Sequence, residues 1–398
     1  MTEQTQTLER PVEAAYAAIS DEHSEPDWLR NRRSAAWQTF QRMPMPSMDQ
    51  EDWRRTDLRG LKLDQFKLYS PHAKVTSWEQ LPAALTAASA PGDFAAVSVQ
   101  VDSTSVFRDQ PETSGVIFTD VHTAARENQE LLQRCLEDED APSPDSDKFA
   151  AMSAALAAGG NFIYVPDGVH IEKPIKCTYW LESPEVALFP RTTVVLGREA
   201  SVVLIDEYLS ADGPDSALAV PVTQAHIGPF ANLDYVSLQR FGDNTWNISR
   251  QRFVFAEEAK ASLLFAALGA GTTKAYVDTI FKGNASRAQL KGLIVADGKQ
   301  HVDYQTLQQH AGVASESDLD FKAALRGESR AIWPGLCKID KSGQRSNANQ
   351  TCRNLLLSRN AGAFPIPSLE ILANDVKCSH GTTVGQVDEQ QIFYAMTR

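Results

Sequence analysis

The sequence predicts a mainly β protein: a stacked parallel solenoid of β-coils behind a helical and mixed α/β region. Three observations carry that expectation. Helical periodicity, clear in the first fifty residues, largely disappears after Gly168, where short β-rich runs alternate with Gly, Asp and Asn turns. Four of these runs open on a small residue, at Ala200, Ala231, Ala261 and Ala288, with spacings of 31, 30 and 27 residues. Such recurrence marks a repeat in which each unit buries its apolar face against the next. An antiparallel sandwich would show a series of hairpin dipeptides instead. Asn-Gly is absent, and Asp-Gly occurs only at 167–168, 212–213 and 297–298.

The elements follow in order. Residues 1–48 read as a helical region. Within it Asp27–Met43 spaces Trp28, Leu29, Ala36, Trp37 and Phe40 at helical intervals against Arg30, Arg32, Arg33 and Gln38. Pro44 and Pro46 stop that helix, since neither supplies an N–H. Residues 49–146 read as an α/β region. It opens with Glu51–Leu58 (EDWRRTDL), a solvated turn anchored by Trp53. Gly115–Thr119 is a predicted strand, Val121–Leu136 one amphipathic helix, and Glu137–Asp147 (EDEDAPSPDSD) an acidic, mobile linker.

Residues 147–398 form the predicted β-helix core. It starts with a helix, Lys148–Ala158, capped by Asp147 and ended by Gly159-Gly160. A strand at Phe162–Val165 and a turn at Pro166–Gly168 come next. The core closes with Val376–Tyr394, which reads as extended. A stacked coil has two open ends carrying unpaired N–H and C=O groups. The N-terminal helices can cover one end, so the other is a candidate protein–protein interface.

Composition narrows the function. A net charge of −13, with no basic block, disfavours nucleic acid, whose phosphates need clustered Lys and Arg. The N-terminus lacks a signal-peptide core and no apolar run is long enough to span a bilayer, so a cytoplasmic protein is expected. Five scattered cysteines (135, 177, 337, 352 and 378) then point to reduced thiols.

The chemistry concentrates in the closing segment. Cys378 and His380 are two residues apart, and i and i+2 share one face of a strand. A thiol with an imidazole suits iron or zinc. Elsewhere the signals are weaker. Gly269–Lys274 (GAGTTK) lacks phosphate-loop spacing and reads as a turn. His301 and His310, nine apart, fall on opposite strand faces and read as surface side chains. His170 and His226 read as turn residues. A carbohydrate-active β-helix enzyme is the alternative, with Asp206-Glu207 or Asp318 and Asp320 as its acids. A cysteine nucleophile at Cys378 or Cys352 is a third reading.

Several motifs share an order. They are Glu51–Leu58, Asp147–Met152 (DKFAAM), Gly159–Gly168 (GGNFIYVPDG), Phe189–Thr192 (FPRT), Gly298–Asp303 (GKQHVD), Asn354–Ser358 (NLLLS) and Val376–Gly385 (VKCSHGTTVG). Together they resemble the SufB/SufD family of iron–sulfur cluster assembly scaffolds, and the last resembles its SufD branch. The resemblance implies a right-handed parallel β-helix core between helical terminal regions. It implies a heterodimer with SufB through the β-helix, binding of the ATPase SufC, and no catalytic role for the chain itself. A homodimer in isolation and a flavin are left open. It further implies that His380, the histidine of Lys-Cys-Ser-His-Gly, helps hold a transient iron–sulfur cluster at the SufB interface, with Cys378 in the same motif. Cys352 falls where SufB relatives carry a key cysteine, and reads either as a sulfur acceptor or as a small buried residue. Family members continue past Arg398 into a helical segment that contributes to the SufC contact, so that segment is expected to be missing here.

Overall fold

Alternation governs the second half of the chain. In Arg287–Ala296 the residues Ala288, Leu290, Gly292, Ile294 and Ala296 are buried, and those between them are exposed. The computed structural model describes residues 3–86, 90–211, 216–386 and 388–398. The expected turn at Asp212-Gly213 lies outside them. Among the described residues the strands form two sheets, of ten and eleven strands. From residue 191 onward the long strands alternate between the sheets, so each coil adds one strand to each. Neighbours in a sheet run parallel and in continuous register, as in Arg287–Ala296 beside Glu316–Leu325 and Thr272–Phe281 beside His301–His310. The expected solenoid is the observed one.

The repeat has a stereochemical basis. Glu199, Phe230, Glu258, Ala285, Ala314 and Arg345 all turn the chain with φ between 51° and 61°. This left-handed conformation costs a non-glycine residue roughly 1–2 kcal/mol. Each is followed by a small, fully buried residue: Ala200, Ala231, Ala259, Ser286, Ser315 and Ser346. The serine hydroxyls of 286 and 315 donate back to the carbonyls of Gly283 and Gly312 at 2.8 and 3.1 Å. The expected repeat starts at Ala200 and Ala231 are correct, whereas Ala261 and Ala288 fall in register with Leu233, two residues after the starts at Ala259 and Ser286. A two-residue offset preserves which side chains face inward.

Between the sheets the lumen is packed with side chains. Phe255, Phe281 and His310 stack on consecutive coils with ring centroids 4.7 and 4.6 Å apart, close to the strand spacing. His310 is therefore interior rather than a surface residue. Its nitrogens meet the hydroxyls of Ser315 and Ser317 at 2.8 Å. His301, on the opposite face as expected, packs outside against Thr56.

The N-terminal region lies on the solenoid. The helix Asp27–Arg42 buries Leu29, Ala36, Trp37 and Phe40. The helix Lys148–Leu156 begins at Asp147, whose Oδ1 accepts from the Ala150 N–H at 2.8 Å. Gly160 ends that passage at φ 89°; a Cβ there would lie 2.1 Å from the Arg191 carbonyl oxygen.

Three expectations change. The single helix Val121–Leu136 is two, Val121–Glu127 and Gln129–Glu137, broken at Asn128, a weak helix former. The break lets Val121, Ala124, Leu132 and Leu136 share one cluster with Phe162. The acidic linker is fastened to the solenoid. Lys282 pairs with Glu139 and Asp140, Arg252 donates to the Asp140 carbonyl, and Arg250 pairs with Asp147. A basic row on adjacent strands supplies these partners, which a linear reading cannot show. Finally, EDWRRTDL is a plug rather than a solvated turn. Trp53 is buried against Phe149 and Tyr276, and Thr56 donates to Asp303 at 2.7 Å. Among the described residues no helix is long and apolar enough to cross a membrane.

A candidate cluster-binding edge at the open end of the solenoid

The last coil consists of the strands Gly362–Ile371 and Lys377–Gln386, each the final member of its sheet. A short helix, Glu389–Met396, follows where extended chain was expected, because the Asp388 carboxylate caps the Gln390 N–H. Register decides which side chains look inward. Cys378 lies over Ala348, His380 over Gln350, Thr382 over Cys352 and Val384 over Asn354. All four underlying residues are buried in the lumen. Cys378 and His380 thus share the inward face, as their spacing requires. Because the described residues place no strand beyond them, this inward face is open. His380 is exposed, and among the described residues its ring makes no hydrogen bond. Gln350 beneath it donates to Gln308 at 2.8 Å, while its own Oε1 has no partner.

The two edges of this end differ. Gly362 donates its N–H to Ser329 and Leu372 donates to Ile339, so even-numbered residues of that strand pair backwards. Odd-numbered residues therefore turn their backbone groups to the open edge. Pro365 and Pro367 stand at two of those positions and have no N–H to offer. In the neighbouring strand Lys377 donates to Ser346, which reverses the parity. The N–H groups of Cys378, His380, Thr382 and Val384 face the open edge and none is a proline. One edge is blunted, the other competent to pair. Around them Leu369, Ile371 and Val384 expose 37–47% of their surface, an apolar rim at the mouth of the lumen.

Of the three cysteines near this end, Cys378 is partly open to solvent and Cys352 is buried. Cys352 contacts the Asn354 amide at 3.4 Å, and burial pushes its thiol up to about 11. It lies beneath Thr382, behind the surface, so the small-buried-residue reading fits its surroundings. Cys337, which spacing alone does not mark, is 3.5 Å from Cys378, sulfur to sulfur. That pair spans the lumen between opposite sheets, a relation no sequence separation encodes. The contact with Cys378 and burial raise the Cys337 thiol, while the same contact lowers that of Cys378, which solvent reaches. Among the described residues no group of three or more His, Cys, Asp or Glu side chains is placed to hold a metal ion.

The other candidates separate. Asp206 points into the sealed lumen and Glu207 outward, where it meets Lys176 at 2.9 Å and Arg240. Adjacent strand residues oppose one another, so this pair cannot flank one glycosidic bond. Asp320 is tied to Arg353 at 2.9 Å and Lys322 at 3.2 Å, and Asp318 accepts from Asn349 at 2.8 Å. Lys274 of GAGTTK is committed to Asp303. His170 meets Ser201 at 2.8 Å, and His226, inside the strand Val222–Ile227 rather than at a turn, meets the Gln224 amide at 2.6 Å.

Comparison with known proteins bears directly on this edge. Residues 179–398, which include Cys337, Cys352, Cys378 and His380, match the family model for the SUF system FeS cluster assembly SufBD core domain. Residues 12–177 match the SufBD protein N-terminal region. The chain belongs to the SufBD family. It is 29% identical to the iron-sulfur cluster assembly protein SufD of Bacillus subtilis over 389 residues, covering 96% of this chain and 87% of that one. To SufB of the same organism it is 25% identical over 393 residues, covering 96% and 83%. A SufBD family protein of Staphylococcus epidermidis is 26% identical over 400 residues, covering 97% and 84%. The family therefore associates this chain with iron–sulfur cluster assembly, and the SufBD core match spans the whole open end.

Proposed function

We propose that this chain is the SufD-type, non-catalytic subunit of a cytoplasmic iron–sulfur assembly scaffold. It pairs with a SufB-type subunit through the edge of Lys377–Gln386 and presents His380 to the nascent cluster at the seam. The observation that carries this reading is the position of His380. Its ring stands free at the mouth of the lumen, on the strand edge competent to pair. An imidazole binds iron when neutral, yet releases it more readily than a thiolate, as transfer requires. Cys378 is the second donor this chain can offer; the remaining ligands come from the partner or from sulfide. Cys352, buried beneath Thr382, is assigned no ligand role. ATP hydrolysis belongs to a SufC-type partner. Without a SufB-type subunit the same edge can receive a second copy of the chain. The higher identity to SufD than to SufB, together with the Lys-Cys-Ser-His-Gly motif, supports the SufD assignment.

Two substitutions test the reading. His380→Ala should leave folding and partner pairing intact and lower cluster assembly in cells at least tenfold. Loss of even an outer-shell partner typically costs about 10–100-fold in metal affinity. Assembly at wild-type level would remove His380 from the mechanism. Thr382→Pro deletes an N–H that faces only the open edge, so the isolated chain should remain folded while co-purification with the SufB-type subunit is lost. Thr383→Pro, which deletes an N–H used within the chain, should instead destabilise the isolated protein. Undiminished co-purification of Thr382→Pro would exclude strand pairing at this edge.

A further inference from the structure

Cys337 and Cys378 have a relation that the scaffold role does not use. Their sulfurs are 3.5 Å apart at the uncovered end of the lumen, one wholly buried and the other partly accessible. They sit on strands of opposite sheets, Arg330–Ile339 and Lys377–Gln386. Cys135, Cys177 and Cys352 are buried, and among the described residues none has a second sulfur within hydrogen-bond reach. We propose that Cys337 and Cys378 are a thiol–disulfide couple, in which Cys378 reacts with a hydroperoxide and Cys337 resolves the product.

The oxidation closes with the hydroperoxide as its only co-reactant. The Cys378 thiolate attacks the terminal peroxide oxygen; the O–O bond breaks, leaving Cys378 as a sulfenic acid, and the alkoxide or hydroxide takes a proton from water. Cys337 then gives up its proton and attacks the Cys378 sulfur. The S–O bond breaks, and the departing hydroxide leaves with that proton as water. Two electrons pass from the thiols to the peroxide, and an external dithiol returns them by exchange.

Access favours this division of roles, since of the two sulfurs only that of Cys378 is open to solvent. Closure from 3.5 Å to a disulfide bond of about 2.05 Å requires a modest approach of the two strands. The strand carrying Cys378 is paired on one side only and is free to make it. Oxidation would thus withdraw Cys378 from the cargo and tether the docking edge across the lumen. That consequence, unlike the couple itself, rests on the function proposed above.

The test uses the full-length chain, reduced and then exposed to hydrogen peroxide with dimedone present to trap sulfenic acid, followed by peptide mapping without reduction. Wild type should yield a Cys337–Cys378 linked peptide, reversed by dithiothreitol, with little dimedone on Cys378. Cys337→Ala should lose the link and accumulate the dimedone adduct on Cys378. Cys337→Ser serves as the second variant, both being checked for native circular dichroism. If wild type and variants label Cys378 equally and no linked peptide forms, the couple does not exist. This readout needs neither partner nor cluster, so normal assembly by His380→Ala would sink the scaffold mechanism and leave the couple standing. With the partner subunits added, the oxidised chain should lose assembly activity and regain it with dithiothreitol. Equal activity of oxidised and reduced chains would show that the couple does not act on assembly.

Discussion

Lys274→Ala should destabilise the protein by about 3–5 kcal/mol, the usual cost of leaving one member of a buried ion pair alone. Lys274 and Asp303 are both essentially inaccessible, with Nζ 2.9 Å from the carboxylate. The remaining carboxylate would keep the Thr56 hydroxyl at 2.7 Å, while its Oδ1 already has no partner among the described residues. Lys274 also lies over the rings of Trp53 and Tyr276, at 5.8 and 5.0 Å. The loss should therefore reach the Glu51–Leu58 plug and expose Trp53, raising its accessibility to a fluorescence quencher. Adding Asp303→Leu to Lys274→Ala should recover much of the stability, because the stranded charge is gone. Urea unfolding of the two single variants and the double measures this coupling directly. A cost below about 1 kcal/mol for Lys274→Ala, the range of an exposed pair, would show that the pair is not what holds the plug.

Asp206→Asn should stabilise the protein at pH 8 and have much less effect near pH 4. Burial in the lumen pushes the Asp206 carboxyl up to about 7, against bonds from Tyr235 at 2.9 Å and Thr223 at 3.2 Å that favour the charged form. The folded state thus holds its proton more tightly than the unfolded chain does. Stability falls as pH rises from the unfolded pKa of about 3.9 through the folded value, then levels. A shift from 3.8 to about 7, at about 1.4 kcal/mol per unit, gives an upper figure of about 4 kcal/mol. Asparagine removes this dependence and keeps the shape, although its second amide hydrogen must still find an acceptor. Melting temperatures of both proteins between pH 4 and 8 should converge at the acid end and separate at the alkaline end. Parallel curves would mean that Asp206 is not the group responsible.

Both predictions rest on interior polar groups that pattern alone does not reveal. The register of inward and outward side chains was legible, because alternation has a period of two residues and survives a two-residue slip at Ala261. The helices at Asp27 and Lys148 were legible because apolar periodicity, the stop at Pro44 and the Asp147 cap are all local. Cys378 and His380 were legible as a pair because parity on one strand is a property of the strand itself. Cys337 was not, since it meets Cys378 across the lumen from another sheet. Neither was the anchoring of Glu137–Asp147, whose charges suggested solvent until Arg250, Arg252 and Lys282 were brought alongside.

By itself the sequence determined the solenoid, its parity and the thiol–imidazole pair, all consequences of backbone geometry over a few residues. Tertiary structure alone decided which edge of the open end is blunted by Pro365 and Pro367, and which second sulfur faces Cys378. Those relations arise between coils and between sheets, where distances are set by stacking and packing rather than by separation along the chain.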